Sequence, residues 1–442
     1  MISEYFQISE KRSSVKVEFV AGLTTFLTMA YIIFVHPNIL SDTGMDKNAL
    51  IGVTCIISAV ATIATGIFGK APIAMAPGMG LNAFFAYTLV QDEQIGWQTA
   101  LGMVFLSGLI FLLLSLFGLR KRLVEAIPPG LVAAISVGIG LFISLVGLGN
   151  LGLILRSEQT LFSLGDITGT VLIGLLGLVV MVLLELVGVT GSLLIGIAVA
   201  TIVAAVFGYI DRPTGLVSLD WRLGQIAFEL DIVGALQWSL LGNIFILMFI
   251  DMFDSVGTLV ACCDKAGMRD RSNQIRGLDR LLGLDAAATM LGAVMGTSTT
   301  TSYVESAAGI EQGGRTGLTS VVTGLMFLLA LFFVPIITIV PGYATASAQI
   351  MVGLFMAKEV RRIDFANLEE AAPALIIVAM IAVSYSISTG LAVGFVCFTL
   401  IKIVRGKARQ VKTAMWIIAI LSALFLAMDQ LPGLIAYIKG VM

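Results

Sequence analysis

Three acidic residues interrupt otherwise apolar stretches of this sequence. Asp251 and Asp254 lie in the run FILMFIDMFDSVGTLV, and Glu305 follows the polar run TSTTTSYV. An ionised carboxylate among apolar residues is costly unless it binds a proton, a cation or a ligand that donates hydrogen bonds. These residue types therefore indicate two kinds of chemistry: accepting N–H groups from a neutral substrate, and carrying a proton.

Asp251, Asp254 and Thr258 recur at positions i, i+3 and i+7, which places them on one face of a helix. A site role competes with a simpler one, a pair of acids making contacts at a helix end near the cytoplasmic side. We favour the site and expect Asp251 to bind substrate with Thr258, and Asp254 to do structural or coupling work. Glu185 and Asp285 are other acids in apolar segments, but each lies near a predicted segment end and is not assigned to the site.

Glu305 sits inside a polar interruption, TSTTTSYVESAAGIEQGGRTG, over residues 297–317. Its Thr, Ser and Tyr residues favour extended backbone and the following residues favour helix, so a short strand leading into a half-helix is predicted. Glu305 and Ser306 would lie at the helix start, where free N–H groups and the positive end of the helix dipole attract a ligand. Broken backbone is tolerated in a bilayer only beside a cavity, so this stretch is one half of a predicted binding site.

A second interruption, APIAMAPGMGLNAFFAYT over residues 71–88, has the same order of an extended piece, a Pro-Gly break and a short helix. Gly80 and Asn82 lie at the start of that helix, and Phe84 follows them. Asn82 can both donate and accept hydrogen bonds, and Phe84 can stack on a ring. A plain helix cap is the alternative role for Asn82. Two broken elements in corresponding halves indicate a transporter site near the middle of the membrane.

Membrane-spanning helices are the elements that must position these residues. Of the 442 residues, 58% are hydrophobic and 12% are charged, and the mean hydropathy is +1.01, which excludes an ordinary soluble domain. Apolar runs predict an all-α polytopic protein with two sets of seven segments, at 17–35, 49–68, 73–90, 98–119, 127–149, 168–187 and 190–209, and at 235–261, 282–296, 299–311, 318–339, 341–357, 373–387 and 389–404. The third, tenth and thirteenth are short for a crossing of about 20 residues, so discontinuous or re-entrant elements are expected, and breaks by short strands are predicted in the third and tenth.

The two sets of segments carry similar motifs in the same order. Pro129 and Gly130 precede the run GLF at 140–142, and Pro341 and Gly342 precede the same run at 353–355. Because seven is odd, the second set would cross the membrane upside down, which is the inverted-repeat plan of many secondary transporters. The predicted organisation is a lead over 1–16, a first repeat over 17–209, a linker over 210–234, a second repeat over 235–404, and a basic loop with an extra apolar segment over 405–442. That extra segment either spans the membrane or lies along it.

Lys and Arg mark one side of the predicted segments. Of the 26 Lys and Arg, all but five fall on the side of the N-terminus; the five are Lys47, Arg156, Arg212, Arg222 and Lys439. By the positive-inside rule, that side is cytoplasmic. We therefore expect a multi-pass protein of the cell membrane with a cytoplasmic N-terminus.

The residue inventory offers little to an enzyme. His36 is the single histidine, the four cysteines lack paired CxxC spacing, and no GxxxxGK run occurs. We expect no enzymatic activity, no metal, no cofactor beyond an ion gradient, and no nucleic-acid partner. An anion transporter or channel on the same plan stays open as an alternative, although acidic residues at the broken helices disfavour it.

Four runs together, GLTTFLTMAYIIFV, APGMGLNAFF, FDSVGTLV and GTSTTTSYVESAAG, closely resemble the AzgA-like purine permeases, a branch of the nucleobase/ascorbate transporters. The resemblance covers essentially the whole chain. It implies a proton-coupled importer of adenine, guanine or hypoxanthine, among which we favour guanine and hypoxanthine. It also implies a core domain (17–119 and 235–339), a gate domain (127–209 and 341–404) and a homodimer formed through the gate domain.

Carried over position by position, the resemblance assigns substrate and coupling roles to Gly80, Asn82, Asp251, Asp254 and Glu305. One departure is His36 in FVHPNIL, where the family is expected to have Asn. A water-facing histidine and a proton-relay histidine are both open at that position. Sodium coupling in place of proton coupling also stays open, because carboxylates and unwound carbonyls suit either ion.

Overall fold

The structure of the chain is a computed structural model, and it describes residues 2–116, 127–157, 161–210, 215–218, 221–269 and 275–441. The end of the predicted fourth segment, at 117–119, lies outside the described residues. So do Arg212 and other parts of the predicted linker, at 211–214 and 219–220.

The first seven predicted segments are present as helices and one strand. The helices and strands of this half are α1 (Ile2–Tyr5), α2 (Val15–Met29), α3 (Ile32–Ser41), α4 (Lys47–Ala64), β1 (Met75–Pro77), α5 (Met79–Ala83), α6 (Trp97–Leu116), α7 (Pro129–Asn150), β2 (Ile154–Ser157), β3 (Leu161–Leu164), α8 (Gly169–Leu186) and α9 (Ser192–Val206). π-Helical backbone extends α4 through Thr65–Gly69 and α5 through Phe84–Asp92. The first predicted segment is two helices, and the second of these continues through Pro37 to Ser41.

The second seven segments follow in the same manner. They comprise α10 (Ile232–Ala235), α11 (Leu241–Lys265), α12 (Leu278–Met295), β4 (Thr300–Ser302), α13 (Ser306–Glu311), α14 (Gly317–Ala330), α15 (Val334–Thr338), α16 (Gly342–Ala357), α17 (Leu368–Ser384) and α18 (Ile387–Val404), with α19 (Thr413–Val441) after them. Short 3-10 turns lie at Leu223–Gln225, Trp238–Leu240, Leu331–Phe333, Lys358–Arg362 and Ala408–Gln410. Within the described residues, eight helices are long and apolar enough to cross a membrane. The extra C-terminal segment is one long helix that packs against α18 and α11.

An antiparallel hairpin of β2 and β3 lies between the fifth and sixth segments. The sequence analysis predicts no strand there. Each strand has four residues and pairs only with the other, so neither carries enough alternation of apolar and polar residues to be recognised.

The helices pack in two groups. In one group, α2 and α4 lie against α14, and α6 lies against α11 and α12. In the other, α7 lies against α16 and α17, α8 against α9 and α16, and α17 against α18. Each group combines helices from both halves of the chain. This is the arrangement expected of an inverted repeat in which corresponding helices of the two repeats pack together.

The carboxylate of Glu18 joins the two halves inside the first group. Glu18 is fully buried in α2 and accepts the backbone N–H groups of Arg315 at 3.1 Å and Thr316 at 3.2 Å. The hydroxyl of Thr319 donates to the same carboxylate. Because these groups lie at the start of α14, Glu18 caps that helix from the opposite repeat. The sequence analysis did not single out Glu18, because a cap supplied from a distant helix leaves no local pattern.

Gly66 and Gly317 bring two backbones into direct contact within the same group. A Cβ on either glycine would overlap the carbonyl oxygen of the other. Since the obstacle is backbone in both cases, it cannot rotate away. Small residues at such crossings are the usual means by which membrane helices approach closely.

We predict that Gly317→Ala destabilises the protein and that Gly283→Ala does not. The first change forces α14 away from the end of α4, and overpacking of this kind costs about 1–3 kcal/mol. A Cβ on Gly283 meets nothing within 4 Å, so that variant is the matched control. The melting temperature of purified protein in detergent measures the effect. Equal melting temperatures for both variants would contradict the close contact.

Candidate functional site

The two broken segments meet at their strands. β1 and β4 pair antiparallel, with Ala76 opposite Thr301. The N–H of Tyr303 extends the ladder to the carbonyl oxygen of Ala74 at 2.9 Å. Each strand has three residues and is followed closely by a half-helix, α5 or α13. The breaks predicted in the third and tenth segments are therefore confirmed.

Side chains of neighbouring helices bond the outer edges of these strands. The Thr62 hydroxyl of α4 bonds both the N–H and the carbonyl of Met75, each at 2.9 Å. Asp285 of α12 accepts the N–H of Ser302 at 2.8 Å. In a bilayer, a strand edge without such partners would leave polar backbone groups unsatisfied. The crossing is thus held by helices on both sides.

Glu305 lies between β4 and the start of α13, as predicted. It is half-buried, and the hydroxyl of Tyr31 donates to its Oε1 at 2.7 Å. Its side chain makes no capping bond to its own helix. The preceding residue, Val304, is 57% exposed, so the strand-to-helix turn faces open space.

Asp254 faces the same opening. Its side chain is exposed although it lies in the middle of α11, and its charge interacts with that of Glu305. Gly257 and Ala261, three and seven residues further along, are exposed as well. This open face, from Asp254 to Ala261 together with Glu305, leads toward the end of α11 at Lys265. Thr258 is half-buried beside it.

Asp251 points the other way, into the protein. It is fully buried, and its Oδ2 lies 3.0 Å from the hydroxyl of Thr289. That hydroxyl also lies 2.9 Å from the carbonyl oxygen of Thr300 in β4. Among the described residues, Oδ1 of Asp251 has no hydrogen-bond partner. Side chains three residues apart on a helix, such as Asp251 and Asp254, point about 60° apart around the helix axis. This angle is large enough for one of them to be packed and the other to be exposed.

Asp285 was not assigned to the site by the sequence analysis, yet it lies at the centre of the crossing. Besides the N–H of Ser302, it accepts the hydroxyl of the same residue at 2.8 Å and the hydroxyl of Ser255. The Ser255 hydroxyl in turn lies 2.8 Å from that of Thr301. The predicted segment began at 282, which made Asp285 look terminal. Because α12 begins at Leu278, the residue lies two turns inside it.

Asn82 and His36 are both fully buried on the far side of the crossing. Asn82 accepts a hydrogen bond from the hydroxyl of Ser298 and so ties α5 to the chain that enters β4. The Nε2 of His36 is hydrogen-bonded to the hydroxyl of Thr297 at 2.7 Å, and its Nδ1 has no partner among the described residues. The histidine is therefore not water-facing in this arrangement.

Three other predicted site residues occupy different surroundings. Phe84 is fully buried and presents no ring to the open face. Ser306 accepts the N–H of Ala74 at 3.0 Å, which fastens α13 to the start of β1. Gly80 is half-buried where the two helix groups meet, since a Cβ there would lie 2.9 Å from Ile139 of α7.

The open face carries the acids Asp254 and Glu305, and the base at its end, Lys265, is paired with Glu311. Arg315, the basic residue at the edge of this stretch, turns its guanidinium onto the carbonyl oxygens of Ile310 and Gly314. Within the described parts of the chain, no cluster of three or more His, Cys, Asp or Glu residues could hold a metal ion. The arrangement suits a neutral ligand rich in N–H donors.

Solved structures show the same fold at low sequence identity. The transmembrane domain of the cyanobacterial bicarbonate transporter BicA superposes with a TM-score of 0.61 at 16% identity, covering 86% of this chain and 97% of that one. The murine Slc26a9 anion transporter in its inward-facing state gives a TM-score of 0.64 at 9% identity, covering 89% of this chain and 69% of that one. The 7+7 inverted-repeat transporter fold predicted from the sequence is thereby confirmed.

Proteins of known sequence match far more closely. The adenine permease AdeQ of Escherichia coli (strain K12) is 40% identical over 96% of this chain and 95% of its own length. The guanine/hypoxanthine permease PbuG of Bacillus subtilis (strain 168) is 39% identical over 93% of this chain and 96% of its own length. A sequence model of the permease family matches residues 16–393. The chain therefore belongs to this permease family and is a multi-pass membrane transporter, not an enzyme.

Proposed function

We propose that this chain is a cell-membrane importer of purine nucleobases driven by proton symport, with its N-terminus in the cytoplasm. The base binds at the open face beside Glu305 and Asp254, where the half-helix α13 begins. Relatives that match over nearly the whole chain are named as adenine and as guanine/hypoxanthine permeases, which supports a purine substrate. The observation that carries the proposal is a pair of interacting acids at the strand-to-helix turn: Asp254 is exposed in the middle of α11, and Glu305 is half-buried next to the exposed Val304.

The chemistry of the acids favours guanine and hypoxanthine over adenine. A carboxylate accepts two parallel N–H bonds, and the N1–H and exocyclic amino group of guanine offer that pair on one edge. Hypoxanthine offers N1–H alone. Adenine places an acceptor, N1, beside its amino donor, so it would require one acid to be protonated. Tyr31, already bonded to Glu305, fixes the orientation of the carboxylate.

The sequence analysis and the resemblance gave Asp251 both a substrate and a coupling role, and the burial of this acid supports the coupling role. The Thr289 hydroxyl has one proton but two acceptors in reach, Asp251 Oδ2 and the Thr300 carbonyl oxygen. If Asp251 is protonated at Oδ2, it donates to the hydroxyl, which then donates to the Thr300 carbonyl, so both of these acceptors are bonded. If Asp251 is ionised, it takes the hydroxyl proton and leaves the carbonyl without it. The geometry thus favours a proton on Asp251 whenever the site is closed to water.

Anion transport is the alternative suggested by the solved structures of the same fold. Their identity of 16% or less bears on the fold alone. An anion at Glu305 and Asp254 would face two like charges, and the guanidinium of Arg315 is occupied by backbone carbonyls. The acidic open face therefore favours a neutral base.

We predict that wild-type protein in cells lacking their own permeases takes up radiolabelled guanine and hypoxanthine saturably, and adenine less well. Glu305→Gln should lower uptake about 10- to 100-fold, since a hydrogen bond to a charged group contributes about 1.5–3 kcal/mol. Glu311→Gln, at the other end of α13 and exposed, is the control and should retain uptake. No uptake of any base by wild type, or uptake indifferent to Glu305, would overturn the proposed function.

A separate prediction concerns coupling. Asp251→Asn should abolish accumulation driven by a pH gradient while leaving base-for-base exchange, because exchange needs no net proton release. Asp264→Asn, an exposed acid at the end of the same helix, is the control. The measurement is the ratio of internal to external base in proteoliposomes. Full pH-driven accumulation by Asp251→Asn would refute the assignment, and accumulation that follows a sodium gradient would replace the proton with sodium.

A further inference from the structure

A cavity of about 450 Å³ lies at the other end of the protein from the open face. Asn243, at the start of α11, hydrogen-bonds to Glu93 beside this cavity, whereas Lys265, at the far end of α11, pairs with Glu311 near the open face. We call this cavity the outer vestibule. It therefore opens to the side of the membrane opposite to the one from which Asp254 is accessible.

Both helix groups contribute to its walls. On the side of the first group, Asp42 follows α3, which packs against α4. Tyr87 and Gln91 lie in the π-helical extension of α5, which packs against α6. From the second group come the end of α7 at Asn150, the hairpin at Phe162, and Tyr385 between α17 and α18. The outer vestibule thus lies across the boundary between the groups, on the same boundary that Gly80 occupies deeper in the protein.

The lining combines aromatic rings with carboxylate and amide groups. The rings of Phe162 and Tyr385 lie 5.9 Å apart at 43°. The hydroxyl of Tyr87 donates to Asp42 Oδ2 at 2.9 Å, and Gln91 Nε2 donates to the carbonyl oxygen of Asp42 at 3.1 Å. Carboxylate and amide oxygens accept more than one hydrogen bond, so these fixed groups still have capacity for the N–H groups of a ligand.

Within the part of the chain that the structure describes, no Lys or Arg lines this cavity. Lys47, the base that interacts with Asp42, does not belong to the lining, so a phosphate or carboxylate in the cavity would meet Asp42 as its charged neighbour. A flat neutral ring, by contrast, gains stacking from the aromatic residues and hydrogen bonds from the polar ones. The cavity volume also exceeds what a two-ring base occupies.

We propose that the outer vestibule is a second binding site for a planar nucleobase, which the base occupies before it reaches Glu305. This inference rests on the proposed function. An aromatic chain closes the floor of the site: Tyr87 contacts Phe142 edge to face with ring centroids 6.2 Å apart, and Phe142 contacts Tyr385 at 5.4 Å. A base in the vestibule is held above this barrier until the two helix groups separate.

Tyr385 is the residue best placed to open that barrier. It has a left-handed backbone conformation, with φ 55°, at the junction of α17 and α18. Non-glycine residues rarely adopt this conformation, and it persists only where surrounding contacts enforce it. Its ring joins the floor at Phe142 to the wall at Phe162, so any displacement of the junction moves both.

The test compares Phe162→Ala and Gln91→Leu with Leu164→Ala. The first two remove a ring and a polar group from the vestibule, whereas Leu164 is 73% exposed on the same hairpin and does not line it. Uptake of radiolabelled guanine and hypoxanthine should show KM raised about fivefold by each vestibule variant, with maximal rate within twofold. Phe162→Ala loses one aromatic contact and Gln91→Leu loses one hydrogen bond, and each is of about that size. Leu164→Ala should leave KM unchanged.

A second measurement separates this role from a structural one. The Kd of guanine at the site beside Glu305, measured on purified protein as the part of the binding that Glu305→Gln removes, should stay within twofold of wild type in both variants. An unchanged KM in both, or a Kd that weakens in parallel with KM, would overturn the vestibule site while leaving the proposed function intact. Absence of uptake by wild type would instead overturn the proposed function itself.

Discussion

The structure depends on one constraint: backbone N–H and C=O groups placed inside a bilayer must all be bonded within the protein. Two segments of this chain break their helices at mid-membrane, which frees such groups. The β1–β4 pairing bonds the inner edges of the two strands, from Ala74 to Tyr303. The outer edges take side chains from the flanking helices instead: Thr62 on one side, Thr289 and Asp285 on the other. The two broken segments can be stable in a bilayer because these side chains replace the backbone hydrogen bonds that the outer strand edges lack.

The same constraint explains why polar residues are so abundant at the centre of an apolar protein. The hydroxyl of Ser320 donates to the carbonyl oxygens of Ala71 and Ile73 at 2.8 and 2.9 Å, where the chain leads into β1. Ser306 and Asp285 act in the same way around β1 and β4. These bonds anchor the half-helices to rigid neighbours, so that the start of α13 holds Glu305 in a fixed place. Most of the polar run that looked like a binding motif is bonded inside the protein. Tyr303 and Ser306 bond backbone groups of the β1 stretch. The other hydroxyls that have partners bond side chains of neighbouring helices, from Thr297 with His36 to Ser302 with Asp285.

Much of this was predictable from the sequence, for a physical reason. The length of the apolar runs predicts the membrane-spanning segments. A polar interruption with β-favouring residues inside a bilayer must be a break whose backbone groups are bonded by the protein, so β1 and β4 could be predicted as well. The direction of individual side chains did not follow. Their spacing predicts that Asp251 and Asp254 lie on one helix face. In the structure Asp251 packs against Thr289, whereas Asp254 is exposed. The two side chains point about 60° apart around the helix axis, and the edge of the packed surface lies between them. Glu18 was not singled out because its partners lie at the start of a distant helix. Asp285 was named but not assigned to the site because the predicted segment began at 282, whereas α12 begins at Leu278.

If the proposed function holds, the crossing also links the substrate to the coupling ion. β4 is three residues long, with Asp251, Thr289 and Asp285 bonded along one side of it and Glu305 three residues beyond its last strand residue. A base that hydrogen-bonds to the carboxylate of Glu305 would displace the start of α13. That displacement would move β4 and, with it, the carbonyl of Thr300. This carbonyl shares the Thr289 hydroxyl with Asp251. In the proposed cycle, that shared hydroxyl makes the proton affinity of Asp251 depend on the position of the strand. Substrate and proton need not touch for each to alter the binding of the other, since both act on the same short strand.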